Sequence, residues 1–560
     1  MSFLDTIFEN LSNTPEKPLL QEIREGQLAL CTCRELLGNI QRARYALRKA
    51  GLQAGDRCAL LAPNSIQWVA TDLAIMAEGG IVVPLYPRQS PFELVNMMQD
   101  SSPRLLCCAK AELREAVSAV WPKLPATLLF EEIFSTPHSI SALDLKKNTA
   151  AQTEQPARLT DSSLVTIIYT SGTSGDAKGV ALTAGNITFM LQRTTARLVE
   201  LMEDVEKSGD DRVFHYLPFC FASSWILLLT CLYRNNALML STNLNKLEEE
   251  LQIAQPHYLV NVPALLDRIR NGIQDQLRGR GKLAHNLFTS AQRAWLDRNT
   301  GQAGILDSLG LAIARVLVFP KIKQKIGPKL RALICGSAPL SEETQLFFQM
   351  IGIPVLQVYG LTETTAICTM DDVREVRVGR VGPAIPGIEM KLGPNDEILV
   401  RGPHVFPGYW NQSETTAEVI RDGWFHTGDQ GEVDAKGNWK IIGRLKNLII
   451  PTSGHNISPE PLEQKLLSLL PEADFAMVVG NGRKFLSAIL SGNATKEQIE
   501  MALFTLNRDL PHYKQIRKFY LTPEPFSVEN GLLTTNRKIK RAAVESRYRG
   551  AIDKLYEDSP

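Results

Sequence analysis

The chain reads as an α/β protein with a large N-terminal domain and a small, separate α+β domain behind it. Three observations predict this. Short apolar, β-branched runs alternate with helical patterns over residues 1–160, which implies parallel sheets with helices on both faces. Residues 379–443 then turn Gly-rich with short alternating segments, the pattern of a small β-barrel. From about residue 447 a strand, a Gly-bearing loop and a helix begin again. A chain of 560 residues is long enough for two or more domains and a large core.

Taken in order, Arg34 to Ala50 has helical spacing and stops at Gly51. Asp56 to Ala62, Ile81 to Tyr86 and Arg104 to Cys108 read as strands, and Leu164 to Tyr169 as a buried one. Directly behind that strand stand Gly172, Gly175 and Gly179 among Thr170, Ser171, Thr173 and Ser174, with Lys178 near the end. Glycines let the backbone turn sharply and approach a ligand. Loop N–H groups, hydroxyls and the lysine can then meet phosphate oxygens. Lys178 is followed by Gly179, so the Ser/Thr that completes a Walker A loop is missing.

Residues 264–331 read as helices with thirteen Lys/Arg against Asp267, Asp275, Asp297 and Asp307. That excess suits a solvated face, an anionic membrane surface or anionic ligand phosphates. Leu333 to Pro339 and Val355 to Thr365 are apolar strands that run into small-residue turns, where ligands sit at the carboxyl end of a parallel sheet. Tyr359 offers a flat face for a purine. Glu363 offers a hard oxygen for Mg²⁺. The strands expected farther on are Glu397 to Val400, Gly431 to Asp434, Trp439 to Ile442 and Leu448 to Ile450, with a helix from Pro461 to Leu470.

Composition excludes several classes. Lys+Arg 61 against Asp+Glu 60 gives a net charge of +1, so bulk nucleic-acid binding is not expected. The nine cysteines form no C-x-x-C pair and mostly sit in apolar runs, as reduced buried thiols of a cytoplasmic protein do. The N-terminus lacks the positive region of a signal peptide, and no apolar stretch of about 18 residues is present to span a membrane.

Five further stretches complete an ordered set with the Thr170–Lys178 loop: Leu333 to Pro339, Tyr359 to Glu363, Gly423 to Asp429, Gly443 to Asn447 and Leu532 to Lys538. In this order and spacing the chain resembles the adenylate-forming (AMP-binding) enzymes over essentially its whole length. The length of residues 264–331 resembles the long-chain acyl-CoA synthetase branch. Ala177 replaces the usual proline before the loop lysine, and Thr535 and Asn536 replace the usual Pro and Thr before the C-terminal lysine. Phe221 stands where that branch has a histidine, and Trp225 where arginine is common; both departures touch acyl selectivity rather than adenylation. His215 is offset from the motif.

The resemblance implies two doubly wound sheets and a β-barrel in residues 1–444, and a mobile domain in 445–560 pivoting at Lys446. It implies that a fatty acid attacks MgATP to give acyl-AMP and pyrophosphate, and that coenzyme A then displaces AMP. Thr170, Ser171, Gly172, Thr173, Ser174, Gly175 and Lys178 would hold phosphates. Gly336, Ser337, Ala338, Gln357, Tyr359, Gly360 and Thr362 would line the nucleotide pocket. Glu363 would hold the metal, Asp429 and Arg444 the ribose, and Lys538, with Lys540 as its rival, the reacting oxygens. Phe221 and Trp225 would face the acyl chain, and Ser453, Gly454 and His455 the coenzyme A. A carrier protein is the alternative acceptor, although no insertion follows Glu363 and the loop lysine is retained, both of which favour coenzyme A. A second copy of the chain and the inner membrane face are further candidate partners.

Overall fold

The computed structural model describes residues 1–24, 26–134, 155–170, 177–202, 211–279, 282–299, 305–534 and 537–557. They divide into two compact units. The first comprises Met1–Thr170, Ala177–Glu389 and Arg401–Glu418; the second comprises Met390–Val400 and Val419–Pro560.

The first unit is built on two large sheets. One runs in the order Gly408–Tyr409, Lys178–Thr183, Leu164–Thr170, Ile81–Leu85, Arg57–Leu61, Leu105–Cys108, Ala126–Leu129. Its inner strands are parallel and buried along their length, which is why they read as continuous apolar runs. The other sheet runs Thr369–Met370, Val355–Tyr359, Ala332–Cys335, Tyr258–Asn261, Arg212–His215, Ala237–Leu240, Pro18–Arg24, Gln27–Thr32. The parallel expectation is corrected at the margins: Lys178–Thr183, Gly408–Tyr409, Thr369–Met370 and Gln27–Thr32 all pair antiparallel. Short connections force this for Lys178–Thr183, Thr369–Met370 and Gln27–Thr32, because only a long crossover can return the chain parallel; Gly408–Tyr409 is an edge strand added from far along the chain.

Helix boundaries follow the caps. Cys33–Lys49 starts at Thr32, whose hydroxyl takes the Glu35 N–H while Glu35 reaches back to Thr32, and the chain leaves it through Gly51 at φ +85°. The basic stretch forms the helices Pro263–Gly279, Lys282–Asn299, Ile305–Leu317 and Phe319–Ile326. All nine cysteines are buried, and none is in a disulfide.

The second unit holds a five-stranded sheet where the barrel pattern lay. It includes one continuous strand, Trp424–Val433, with Trp439–Arg444 antiparallel to it. The rest packs both faces of the sheet Ala473–Val479, Leu486–Gly492, Ile516–Leu521. Leu462, Leu466, Ile499 and Leu503 cover one face; Phe526, Leu533 and Val544 cover the other. Each such side chain contributes about 1.5–3 kcal/mol of burial. Leu448–Ile450 is not a strand. Only Ile449 pairs, with Ile457, because Pro451 and Gly454 turn the chain back after one rung.

Candidate active site

Residues 171–175 of the phosphate loop lie outside the described residues; its two ends do not. Thr170 faces Lys178 in register across a hairpin, and the Thr170 hydroxyl donates to the Lys178 carbonyl at 3.5 Å. The loop therefore joins two antiparallel strands, unlike a strand–loop–helix phosphate site. Gly179 is fixed by packing: a Cβ there would lie 2.8 Å from Ile167 and 3.2 Å from Trp410.

A second strand pair brings in a residue the sequence reading missed. Tyr409 pairs with Val180, beside the loop. The Lys178 ammonium stands 5.1 Å from the centre of the Tyr409 ring, and the Tyr409 hydroxyl donates to Glu363 Oε1 at 2.8 Å. Lys178 and Glu363, the residues expected to meet phosphate and metal, are thus tied through one aromatic side chain. Nothing local in the sequence marks Tyr409 beyond its place between Gly408 and Trp410; strand pairing puts it there.

The turns that carry the pocket residues have unusual backbones. Gly360 has no room for a side chain, since a Cβ would lie 2.2 Å from the Ala366 carbonyl oxygen. Thr365 and Ala366 have φ of 50° and 85°, and Ser337 has 71°. Such conformations cost about 1–3 kcal/mol each and persist where surrounding structure holds them. Gly336 is buried, with Ser337 and Ala338 exposed beyond it. Tyr359 is buried and Thr362 half-buried in the single 3₁₀ turn that carries Glu363. The Gln357 amide is engaged internally, donating to Gln345 Oε1 and to the Arg380 carbonyl, both at 3.0 Å. Beneath it Asp371 accepts from the Gln357 N–H, and burial raises its carboxyl to about 8.

Of the acyl-facing candidates, Phe221 is half-buried with its ring 5.9 Å from Tyr86. Trp225 is buried, and its indole N–H donates to Asp72 at 3.0 Å. Desolvation lifts the Asp72 carboxyl to about 7, with the Trp225 bond opposing. Asp72 was also missed, although a lone carboxylate in the apolar helix Ile66–Ala77 was the available signal. His215 is buried against Phe219, their rings stacked at 5.3 Å.

Within the second unit Asp429 and Arg444 face each other across paired strands, and Arg444 Nε meets Asp429 Oδ1 at 2.7 Å. Lys538 belongs to the same cluster. Its loop is closed by a bridge between Leu533 and Ile539, and Thr534 bonds it twice: the Thr534 N–H donates to the Lys538 carbonyl, and the Lys538 N–H to the Thr534 hydroxyl. The Lys538 side chain is exposed overall; packing around its ammonium and the Arg444 charge hold it below its ordinary pKa, with Asp429 opposing. Lys540 instead begins the helix Arg541–Arg547. Lys446 is exposed in the single turn Leu445–Asn447. His455 stacks on Tyr513 at 4.0 Å and bonds Ser453 at 3.1 Å, beside Gly454 at φ +77°.

The α/β fold thus carries a hairpin end beside an acidic turn in its first unit and a pair of charged residues, Asp429 and Arg444, in its second. The chain belongs to the AMP-binding enzyme family, whose model matches residues 7–410, and the model of the AMP-binding enzyme C-terminal domain matches residues 446–560. It is 27% identical to the long-chain-fatty-acid–CoA ligase FadD15 of Mycobacterium tuberculosis, over 98% of this chain and 96% of that protein. Human long-chain-fatty-acid–CoA ligase ACSBG1 is 28% identical over 92% and 80%. Among solved structures, an ATP-bound RpMatB–BxBclM chimera superposes with a TM-score of 0.72 at 23% identity, covering 98% of this chain and 100% of that one. The adenylation domain of a Mycobacterium chelonae carboxylate reductase gives 0.75 at 20%, covering 100% and 91%. The fold is that of the adenylate-forming enzymes.

Proposed function

We propose that the protein is an ATP-dependent acid–thiol ligase that activates a medium- to long-chain fatty acid. The acid carboxylate attacks the α-phosphorus of ATP, releasing pyrophosphate and forming acyl-AMP. The thiol of coenzyme A then attacks the acyl carbon and releases AMP. The observation that carries this reading is the cluster of Lys538 with Asp429 and Arg444. A nucleotide whose ribose hydroxyls are accepted by Asp429 carries its α-phosphate one carbon beyond the ring, within reach of a lysine. A cation there neutralises charge that builds up on the reacting oxygens.

Glu363 suits Mg²⁺. Among the described residues no group of three or more His, Cys, Asp and Glu forms a metal cage, and Mg²⁺ commonly takes one or two carboxylates plus substrate phosphates. Glu363 and the ATP phosphates would hold it, and when bound it would neutralise phosphate charge. Lys178 and Thr170 would hold the β- and γ-phosphates, and the Ser453–His455 loop with Tyr513 would receive coenzyme A.

The half-buried Phe221–Tyr86 pair and the names of the relatives support a long acyl chain. Each buried methylene adds about 0.8 kcal/mol, so C12–C16 acids should far exceed acetate in kcat/KM. The test is a panel of C2 to C18 acids with two readouts. Acid-dependent exchange of labelled pyrophosphate into ATP is expected, and its absence overturns the ligase reading. Acyl-CoA is the expected product; turnover only with a carrier protein would favour an acyl-AMP ligase instead. Equal kcat/KM for acetate and a C12–C16 acid overturns the chain-length assignment alone.

A further inference from the structure

We propose that the exposed stripe along the helices Ile305–Leu317 and Phe319–Ile326 is a docking surface for an anionic lipid bilayer. Leu311, Ala314, Phe319, Ile322 and Ile326 point into the first unit's core. Their opposite face should be polar. It carries Ala312, Ile313, Val316, Leu317 and Pro320 instead, all exposed, spaced i, i+1, i+4, i+5 and i+8. Ile313 is 40%, Val316 73% and Leu317 55% exposed. Contiguous apolar side chains of this kind mark an interaction surface.

Charge selects the occupant. Residues 312–331 contain six Lys/Arg and neither Asp nor Glu. Arg315, Lys321 and Lys325 are exposed beside the apolar stripe. Lys323, Lys329 and Arg331 line a cleft of about 530 Å³ with His257, and among the described residues no carboxylate lines it. Of the helices packed on these two, Leu247–Ala254 carries Glu248, Glu249 and the buried Glu250, and Lys282–Asn299 carries Asp297; Glu249 faces Lys246 at 3.9 Å. A two-fold interface with a second copy would set this cationic patch against itself. A bilayer presents phosphates to the cations and acyl chains to Val316 and Leu317, the division found in interfacial amphipathic helices, with lysine stems lying along the apolar surface. Among the described residues no helix is long and apolar enough to cross a membrane, so the contact is interfacial.

The test is co-sedimentation of the full chain with vesicles of phosphatidylglycerol and phosphatidylcholine, against pure phosphatidylcholine, at two salt concentrations. Partitioning onto the anionic vesicles that weakens with salt is expected. Each basic residue near such a surface is worth about fivefold, so Lys321→Glu with Lys325→Glu should lower partitioning by roughly 10²-fold. Val316→Glu with Leu317→Glu should lower it at least tenfold; Val316→Ser with Leu317→Ser serves where the first pair fails to fold. Equal partitioning onto both vesicle types, none onto either, or anionic binding unchanged in the apolar variants overturns the proposal. A dimer in vesicle-free buffer that dissociates in the Val316/Leu317 variants also overturns it and gives the face to a second copy.

Discussion

Tyr409→Phe removes one hydroxyl and keeps the ring. In the structure that hydroxyl donates to Glu363 at 2.8 Å, while the ring lies under the Lys178 ammonium at 5.1 Å. A hydrogen bond to a charged group contributes about 1.5–3 kcal/mol, and Glu363 is half-buried, which places the loss near the lower figure. At 1.4 kcal/mol per decade, about 1.5 kcal/mol is roughly tenfold in kcat/KM for MgATP. Because the lost bond orients the carboxylate, the variant should also need more Mg²⁺ to reach half-maximal exchange. Tyr409→Leu removes the ring as well, and a cation–π contact of about 0.5–1 kcal/mol adds a further two- to fivefold. Acid-dependent pyrophosphate exchange, titrated separately in ATP and Mg²⁺, reads all of this. Wild-type behaviour of Tyr409→Phe would falsify the claim that Tyr409 positions Glu363. Identical losses in the Phe and Leu variants would remove the contribution of the ring to Lys178.

Lys538→Ala should lose roughly 10²-fold or more in acyl-AMP formation yet still convert supplied acyl-AMP to acyl-CoA; the same selective loss in Lys540→Ala alone would move the role two residues on. Lys446→Pro fixes φ near −65° in the turn after Arg444 and should leave one half-reaction near normal while severely slowing the other; proportional loss of both, or loss of neither, counts against a pivot there. Asp72 has a folded pKa raised to about 7, so its protonated form stabilises fully below pH ~4 and that stability is lost as pH rises from ~4 through 7. Asp72→Asn stays neutral throughout, and calorimetry should show the wild type losing up to ~4 kcal/mol across that window relative to the variant; parallel pH profiles would refute the assignment.

What was legible in the sequence was whatever local chemistry dictates. Buried parallel strands show as apolar runs, and Gly51 marks the end of its helix; the Thr32 cap at its start was not read. The reason for Gly360 emerged only in the fold, where a Cβ would lie 2.2 Å from the Ala366 carbonyl oxygen. Long-range pairing was not legible. Tyr409 reaches Glu363 because a two-residue strand joins the sheet edge beside Lys178, and no periodicity announces a strand that short. The antiparallel margins escaped for the same reason: alternation of elements reports a parallel interior and says nothing about edges. The bond of Trp225 to Asp72 was not legible either, because an indole in an apolar run announces no polar partner. Leu448–Ile450 has strand composition, but the turn through Pro451 and Gly454 decides its pairing.

On the proposed reading the two polar clusters, one in each unit, would ask different things of a nucleotide. Glu363 and Asp429 each already have a partner, Tyr409 and Arg444. A carboxylate offers about four acceptor sites, so each can take a ligand group without releasing that partner. Both therefore stand oriented before substrate arrives, and binding need not first break an ion pair. Lys538 is in the opposite position. Desolvation and the Arg444 charge oppose its ammonium, and Asp429 compensates only in part. An anion placed among these groups relieves that repulsion, so on the proposed reading ATP, with several phosphate charges, favours Lys538 in the site. Once pyrophosphate leaves, the acyl-adenylate retains a single phosphate charge and the attraction falls. On that reading the loss of pyrophosphate would weaken the hold on the lysine before the thiol attacks, and a pivot at Lys446 would need only to permit the release.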